Sequence, residues 1–365
     1  MCARRSPTST TGWSAADLAT GGRVGARRYD GNVQAPRERT EQIERDTLSP
    51  LAVRAADSKG RERLEPLDPL RTCFARDRDR ITHAKAFRRL KHKTQVFLAP
   101  EGDHYRVRLT HTLAVTQIAR TAARALALNE DLTEAIALGH DLGHTPFGHL
   151  GEQALTPLLE RPFRHSEQSL RVVDHLEKDG AGLNLTWEVR DGILHHPWSM
   201  PPPATLEAQV VRFADRIAYV NHDIDDAIRA GVLDPAELPP EPVAVLGADH
   251  SRRINTLVSD VVATSQGQPQ IRLSPSVFQA LDQLRDFLFA EVYLRTAAND
   301  EHERAVRLLR ELFAHFLAHP DELPSEYHRT PGDLPTRVAD FVAGMTDRYA
   351  VRTYEQLFLP QGWLL

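Results

Sequence analysis

Residues 139–152 read Gly-His-Asp-Leu-Gly-His-Thr-Pro-Phe-Gly-His-Leu-Gly-Glu, which places three histidines, an aspartate and a glutamate within fourteen positions. Neutral imidazole and carboxylate are ligands for divalent metals, so this density has a chemical reading. An isolated His-Asp pair is ordinarily a surface dipeptide. Here His140 and His144 lie one helical turn apart, and Pro146, Gly148 and Gly151 break the helix just after them. That break would set His149 and Glu152 on an irregular turn beside the first pair. Two or three ligands do not close a metal site, so the others must come from elsewhere in the chain.

The flanking helices are legible from caps and periodicity. Asn129 is a candidate N-cap, with Glu130, Asp131 and Glu134 placed to favour the helix dipole. Leu132, Ile136 and Leu142, with the small Ala135 and Ala137, allow close packing, so this helix delivers His140 and Asp141 from a rigid element. Upstream, the spacing predicts a helix from near Thr110 with Leu109, Leu113, Ile118, Ala122 and Leu126 on its buried stripe and His111 off it. Downstream, a long helix runs from about Leu206 to Ala230 and stops at Gly231. One side carries Val210, Ile217, Ile224 and Ile228, the other Arg212, Asp215, Tyr219, His222 and Asp223. Burying those groups is costly without cations or ligands, and Asp215 is read as the fourth metal ligand. The pair His195-His196, beside Pro197, is read as structural.

Of the 365 residues 41 % are apolar, enough for a sizeable core. The formal net charge of -5 and pI near 6.4 advertise neither a nucleic acid nor a membrane as partner. Two cysteines, Cys2 and Cys73, support no disulfide framework, so a reducing cytoplasm is the expected compartment. No apolar run has signal-peptide or membrane-spanning form. The expected organisation is all-α: a disordered tail over 1–38, a helical segment over 39–107, the metal-site domain over 108–231 and a helical region over 232–365. Within this plan Phe74 to Lys93 reads as one basic amphipathic helix, 96–106 as a loop or hairpin, and Pro235 to Val245 as a linker.

The run GHDLGHTPFGHLGE, with RLTHT at 108–112 and FADRIAYVNHD at 213–223, resembles the HD-domain deoxynucleoside triphosphate triphosphohydrolases, the dGTPase-like family, from about residue 40 to residue 350. The resemblance implies an all-α HD core with additional C-terminal helices. It implies one divalent ion (Mg, Mn, Fe or Zn) held by His111, His140, Asp141 and Asp215, and hydrolysis of dNTPs, dGTP among them, at the α phosphate. Arg108 resembles a phosphate-contacting arginine. Arg216, Tyr219 and Asp223 match positions that meet the phosphates and the sugar 3'-hydroxyl, and Gln95, in FRRLKHKTQV, matches a residue near the sugar. His165 stands at a catalytic histidine's place, followed by Ser166 where the family commonly has Asn.

For the proton donor that a leaving 5'-oxygen needs, His149 paired with Glu152 is the first choice. His144 and His165 are further candidates, and the resemblance leaves the division among them open. It also implies a homo-oligomer and activation by deoxynucleotides. The rival readings are another HD-type phosphohydrolase, acting on an alarmone or a cyclic dinucleotide, or a nucleotide-sensing or single-stranded nucleic-acid-binding module using the basic stretch 76–93. The Gly-Tyr-Pro signature of the cyclic-dinucleotide enzymes is absent.

Overall fold

A computed structural model describes residues 35–95, 106–293 and 300–360; the N-terminal stretch 1–34 and the predicted loop over 96–105 lie outside the described residues. Among those residues every regular element is helical, and the only β pairing is two isolated bridges, Arg61 with Thr186 and Thr94 with Val107. The fold is all-α.

The chain opens with α1 (Pro36–Thr47), α2 (Cys73–Thr82) and α3 (Lys85–Arg89), followed by α4 (Arg108–Ala125) and α5 (Glu130–Gly139). Three shorter helices, α6 (His149–Leu155), α7 (His165–Arg171) and α8 (Trp187–His195), lead into α9 (Leu206–Arg229). Then come α10 (Pro240–Leu246), α11 (His250–Ser265), α12 (Pro275–Leu288), α13 (Asp300–Ala318), α14 (Leu334–Gly344) and α15 (Asp347–Phe358).

Helix α9 is the spine. The Thr205 side chain caps its N-terminus, and Gly231, at φ +67°, follows its C-cap Ala230. It packs on α4, α5, α8, α11 and α12, so it is covered on more than one face. Val210, Ile217 and Ile224 are almost wholly buried in one continuous core with Val115 and Ile118 of α4, Ile136 of α5, Ile193 of α8 and Leu284 of α12. Each such side chain contributes about 1.5–3 kcal/mol on burial. A second apolar cluster joins Leu155 of α6 to Leu312 and Phe313 of α13 and Val342 of α14. The catalytic-looking stretch 139–152 therefore runs from one core into the other.

Helix α5 carries the first half of that stretch. Asn129 accepts from the Leu132 N–H as its N-cap. The helix meets α8 through two glycines: a Cβ on Gly139 would stand 2.6 Å from Ile193, and one on Gly192 2.6 Å from Ile136.

Three expectations are corrected. The basic helix over 74–93 is not continuous: α2 ends at Thr82, Ala84 is extended, and a 3-10 turn follows α3 over Leu90–His92. Three of its arginines pair with acids from elsewhere in the chain, Arg76 and Arg80 with Glu65 and Arg78 with Asp131, while Asp77 pairs with Arg61. In α4 the stripe is rotated. Leu113 is half exposed, while His111 lies on the buried face with Val115, Ile118 and Ala122. The segment read as a linker contains α10, whose Leu246 is wholly buried. No helix among the described residues is long and apolar enough to cross a membrane.

Candidate metal and phosphohydrolase site

Four side chains from three elements converge where α4, α9 and the turn after α5 meet. His111 Nε2 lies 3.1 Å from Asp215 Oδ1. His140 Nε2 stands 3.4 Å from Asp141 Oδ1 and 3.8 Å from Asp215 Oδ1. The ring of His140 is oriented from behind, because its Nδ1 sits 2.7 Å from the Ala137 carbonyl and can only donate to it. Its Nε2 is thereby left as a bare lone pair, buried and without a hydrogen-bond partner. An orphaned imidazole nitrogen facing two carboxylates is the donor set of a divalent cation, and mixed nitrogen and oxygen ligands suit Mn, Fe, Zn or Mg. The cluster His111, His140 and Asp141 has its ligand atoms within 4.8 Å of one another. The residues fit a metal ion.

The electrostatics agree. Burial alone would raise the Asp141 carboxyl, but His140, His144 and the Arg108 guanidinium, 3.0 Å away at Nη1, hold it well below the usual carboxylate range. Burial likewise opposes ionisation of Asp215, and the hydrogen bond with His111, with the other histidines around it, overcomes burial.

A second group lies on the far side of Asp141. His144 Nε2 is 3.2 Å from Asp141 Oδ1, and its ring stacks on His165 at 4.0 Å and 11°. His165 Nδ1 contacts Glu152 Oε1 at 2.7 Å, while His149 Nδ1 stands 3.6 Å from the same oxygen. The two local environments differ sharply: the His144 side chain is 3 % exposed and that of His149 80 %. Burial and the Arg108 charge push His144 well below its ordinary range. Burial also works against the His165 imidazolium, but Glu152 outweighs it and raises that pKa.

The backbone explains how these groups are held. Phe147 and Gly148 both have φ near +60°, which sharpens the turn between His144 and α6. A Cβ on Gly148 would come 2.8 Å from Arg108 Nη2, so glycine lets that guanidinium reach Asp141. Ser169 of α7 accepts from the Gly143 N–H and donates to the His140 carbonyl, both at 2.8 Å.

An HD domain model matches residues 108–220, and a phosphohydrolase-associated domain model matches 271–356. A deoxyguanosinetriphosphate triphosphohydrolase-like protein from Caldanaerobacter subterraneus subsp. tengcongensis is 57 % identical over 330 residues, covering 90 % of this chain and 97 % of its own. Another of that description, from Desulfatibacillum aliphaticivorans, is 51 % identical over 344 residues, covering 89 % and 98 %. This chain belongs to the deoxyguanosinetriphosphate triphosphohydrolase-like family of HD-domain proteins. A solved phosphohydrolase from Bacteroides thetaiotaomicron aligns over 76 % of this chain and 68 % of its own at 17 % identity, with a TM-score of 0.46. The family and the HD domain make the chain a hydrolase, and the His/Asp cluster is where it could hold a metal.

The remaining expected positions of this HD hydrolase divide. The Gln95 carbonyl lies beside Gly148, next to Arg108, and its side-chain Oε1 is buried without a hydrogen-bond partner. Arg216 pairs with Asp282, and its guanidinium stacks 4.5 Å from the Trp198 ring, so it faces α12 rather than the His/Asp cluster. Tyr219 is half-buried and Asp223 buried on the same helix. Burial pushes the Tyr219 hydroxyl up to about 12, so it stays a hydrogen-bond donor.

His196, read from sequence as structural, is brought by the fold against the His/Asp cluster. Its neighbour His195 turns to Asp191 at 2.9 Å, but His196 is buried, with its ring edge-on to His140 and its Nε2 3.1 Å from His165 Nε2. Burial, His140 and His165 push it down to about 3, so it is neutral. The cue available in sequence was its place as the residue ending a helix of the core.

Proposed function

We propose that this protein hydrolyses deoxynucleoside triphosphates to deoxynucleoside and inorganic triphosphate with a divalent metal bound by His111, His140, Asp141 and Asp215. The observation that carries the reading is that one short stretch, 140–152, supplies both half of a metal-ligand cluster and the His149–Glu152 pair. A bound divalent ion supplies Lewis-acid polarisation of a phosphoryl oxygen and a lowered pKa for water.

The chain's own residues supply the rest. Water oxygen bonds to the α phosphorus, the bond from that phosphorus to the 5'-oxygen breaks, the leaving oxygen takes a proton from the donor, and the proton given up by the attacking water passes to solvent, from which the donor is reprotonated. The donor must reach substrate, and of the three candidate histidines only His149 is exposed. His165 has both ring nitrogens within hydrogen-bond distance of protein atoms, and His144 is buried against Asp141 and the His165 ring. His149, oriented by Glu152, is therefore the donor. Burial is opposed by the hydrogen bond with His165 and by the neighbouring His149 and His144, which hold Glu152 far below its ordinary range and so ionised to orient the imidazole. Arg108, held beside Asp141, offsets triphosphate charge, and Gln95, Tyr219 and Asp223 face the sugar.

The test is chromatography of the products after purified protein is incubated with Mn or Mg and the four dNTPs, singly and mixed. Deoxynucleoside with intact triphosphate supports the reading. Turnover confined to the mixture adds a deoxynucleotide activator. Diphosphate or monophosphate products, or no turnover with either metal, refute it.

A further inference from the structure

His196 is buried at the end of α8, opposite the dyad it never touches. Its Nδ1 lies 2.8 Å from the Ile193 carbonyl, which can only accept, so this nitrogen carries a hydrogen. In the neutral ring Nε2 is then an acceptor. Facing it at 3.1 Å is His165 Nε2, with the two ring centroids 5.1 Å apart. Two bare lone pairs at that distance repel, so one hydrogen lies in this contact, and because the Glu152 carboxylate sits against His165 whereas His196 meets only a carbonyl, it sits on His165. At the other end of the same ring a hydrogen also lies between Nδ1 and Glu152 Oε1, given their separation of 2.7 Å. Whichever partner holds that second hydrogen, the bond from His165 Nε2–H to His196 is the same.

We propose that His196 is a positioning residue for the proton-donating dyad: it accepts from His165 and locks the ring that fixes Glu152, which in turn orients His149. The chain His196, His165, Glu152, His149 thus runs from the buried end of α8 across α7 to the exposed imidazole of α6. Stacking on His144 fixes the plane of the His165 ring but not which nitrogen faces Glu152. The bond to His196 sets that choice. The catalytic consequence rests on the triphosphohydrolase reading, whereas the hydrogen bond does not.

The experiment compares His196→Phe, which fills the space without an acceptor, with His196→Gln, whose side-chain carbonyl can accept. For the dNTP that the wild type turns over, His196→Phe should lower kcat by about 100-fold with KM within about threefold, the cost of a dyad out of place by about an ångström. Metal content per chain should be unchanged. His196→Gln should stay within about tenfold of wild type. In Mg-loaded protein labelled with nitrogen-15 histidine, a slowly exchanging His165 Nε2–H signal coupled to a second ring nitrogen should be present and should vanish in His196→Phe. The proposal is overturned by wild-type kcat in His196→Phe, by loss of metal from that variant, by an equal fall in both variants, or by absence of the coupled signal from the wild type. A wild type without turnover defeats the functional reading alone, because the resonance still decides the bond.

Discussion

Adding one methyl group at Gly143 should disable this protein from inside its fold. A Cβ there would stand 2.1 Å from the Ser169 backbone nitrogen, 2.4 Å from the Gln168 carbonyl carbon and 2.6 Å from the His165 carbonyl oxygen. All three are backbone atoms of α7, so no rotamer change relieves the clash. Restoring ordinary contact near 3.4 Å requires α7 to retreat by about 1.3 Å, the shortfall at Ser169. That movement breaks the two 2.8 Å bonds of Ser169 and leaves the Gly143 N–H and the His140 carbonyl buried without partners. Each orphaned group costs about 1–3 kcal/mol, and overpacking a further ~1–3. The expected loss for Gly143→Ala is about 4 kcal/mol, a large fraction of a typical 5–15 kcal/mol. His165 sits at the start of the displaced helix, so its 2.7 Å contact with Glu152 opens as well, and kcat should fall about 100-fold. Gly139→Ala is the control: its nearest obstacle is the Cδ1 tip of Ile193 at 2.6 Å, a side chain and not backbone, and it should cost only the overpacking of about 1–3 kcal/mol with no hydrogen bond lost. Urea unfolding followed by circular dichroism, with steady-state turnover on the same samples, measures both effects. A Gly143→Ala protein with wild-type midpoint and kcat would refute the close-approach argument.

Three other outcomes are expected. Asp141→Ala should strip metal and turnover together, whereas His149→Ala should keep full metal, by elemental analysis, and lose turnover; normal activity in either sinks its assignment. Asp347→Ala should raise KM by about tenfold, because Asp347 accepts from the Thr94 N–H at 2.8 Å and the Phe147 N–H at 3.0 Å, next to Gln95 and Gly148 respectively; an unchanged KM would show the junction to be idle. Glu207 is wholly buried, accepts from the Val53 and Asn129 N–H groups through Oε1, and is pushed by burial from its ordinary 4.5 up to about 7. A carboxyl raised in the folded state stabilises below pH 4.5 and loses that contribution as pH climbs to about 7, a change of about 3 kcal/mol. Glu207→Gln keeps the acceptor without the charge, so it should match wild type at pH 4.5 and exceed it by about 3 kcal/mol at pH 8. Parallel urea midpoints for the two proteins at both pH values would contradict this.

What was legible in the sequence is what neighbouring residues decide. The cap at Asn129, the stop at Gly231 and the clustering of His140, Asp141, His149 and Glu152 are all readable over a few turns. What was not legible depends on partners far along the chain. Leu113 looks like a core residue and His111 like a polar interruption, yet α9 and its Asp215 lie on the His111 side, so the stripe rotates toward the carboxylate. The arginines of α2 look like a nucleic-acid-facing surface because Glu65 and Asp131, with which they pair, come from a preceding loop and from α5. His196 reads as structural beside Pro197, and only the fold brings its Nε2 to 3.1 Å from His165 Nε2.

The same reasoning gives the C-terminal helices a place in the site. Lys93 is wholly buried, and its ammonium donates to the His144 carbonyl and, at 2.8 Å, to the carbonyl of Ala343 at the end of α14. Asp347, the first residue of α15, holds Thr94 and Phe147 across 253 and 200 residues. The turn between His144 and His149 has two consecutive residues at positive φ, a conformation that its own sequence does not favour at Phe147. Such a turn persists where its surroundings over-determine it. Those surroundings are Lys93, Thr94 and the α14–α15 junction, and the junction belongs to the phosphohydrolase-associated segment at 271–356. An HD segment cut off at residue 231 would keep all four clustered His/Asp residues and lose what shapes the turn carrying His149. The clustered His/Asp residues are local to the HD segment, but the turn that carries His149 depends on the C-terminal helices as well.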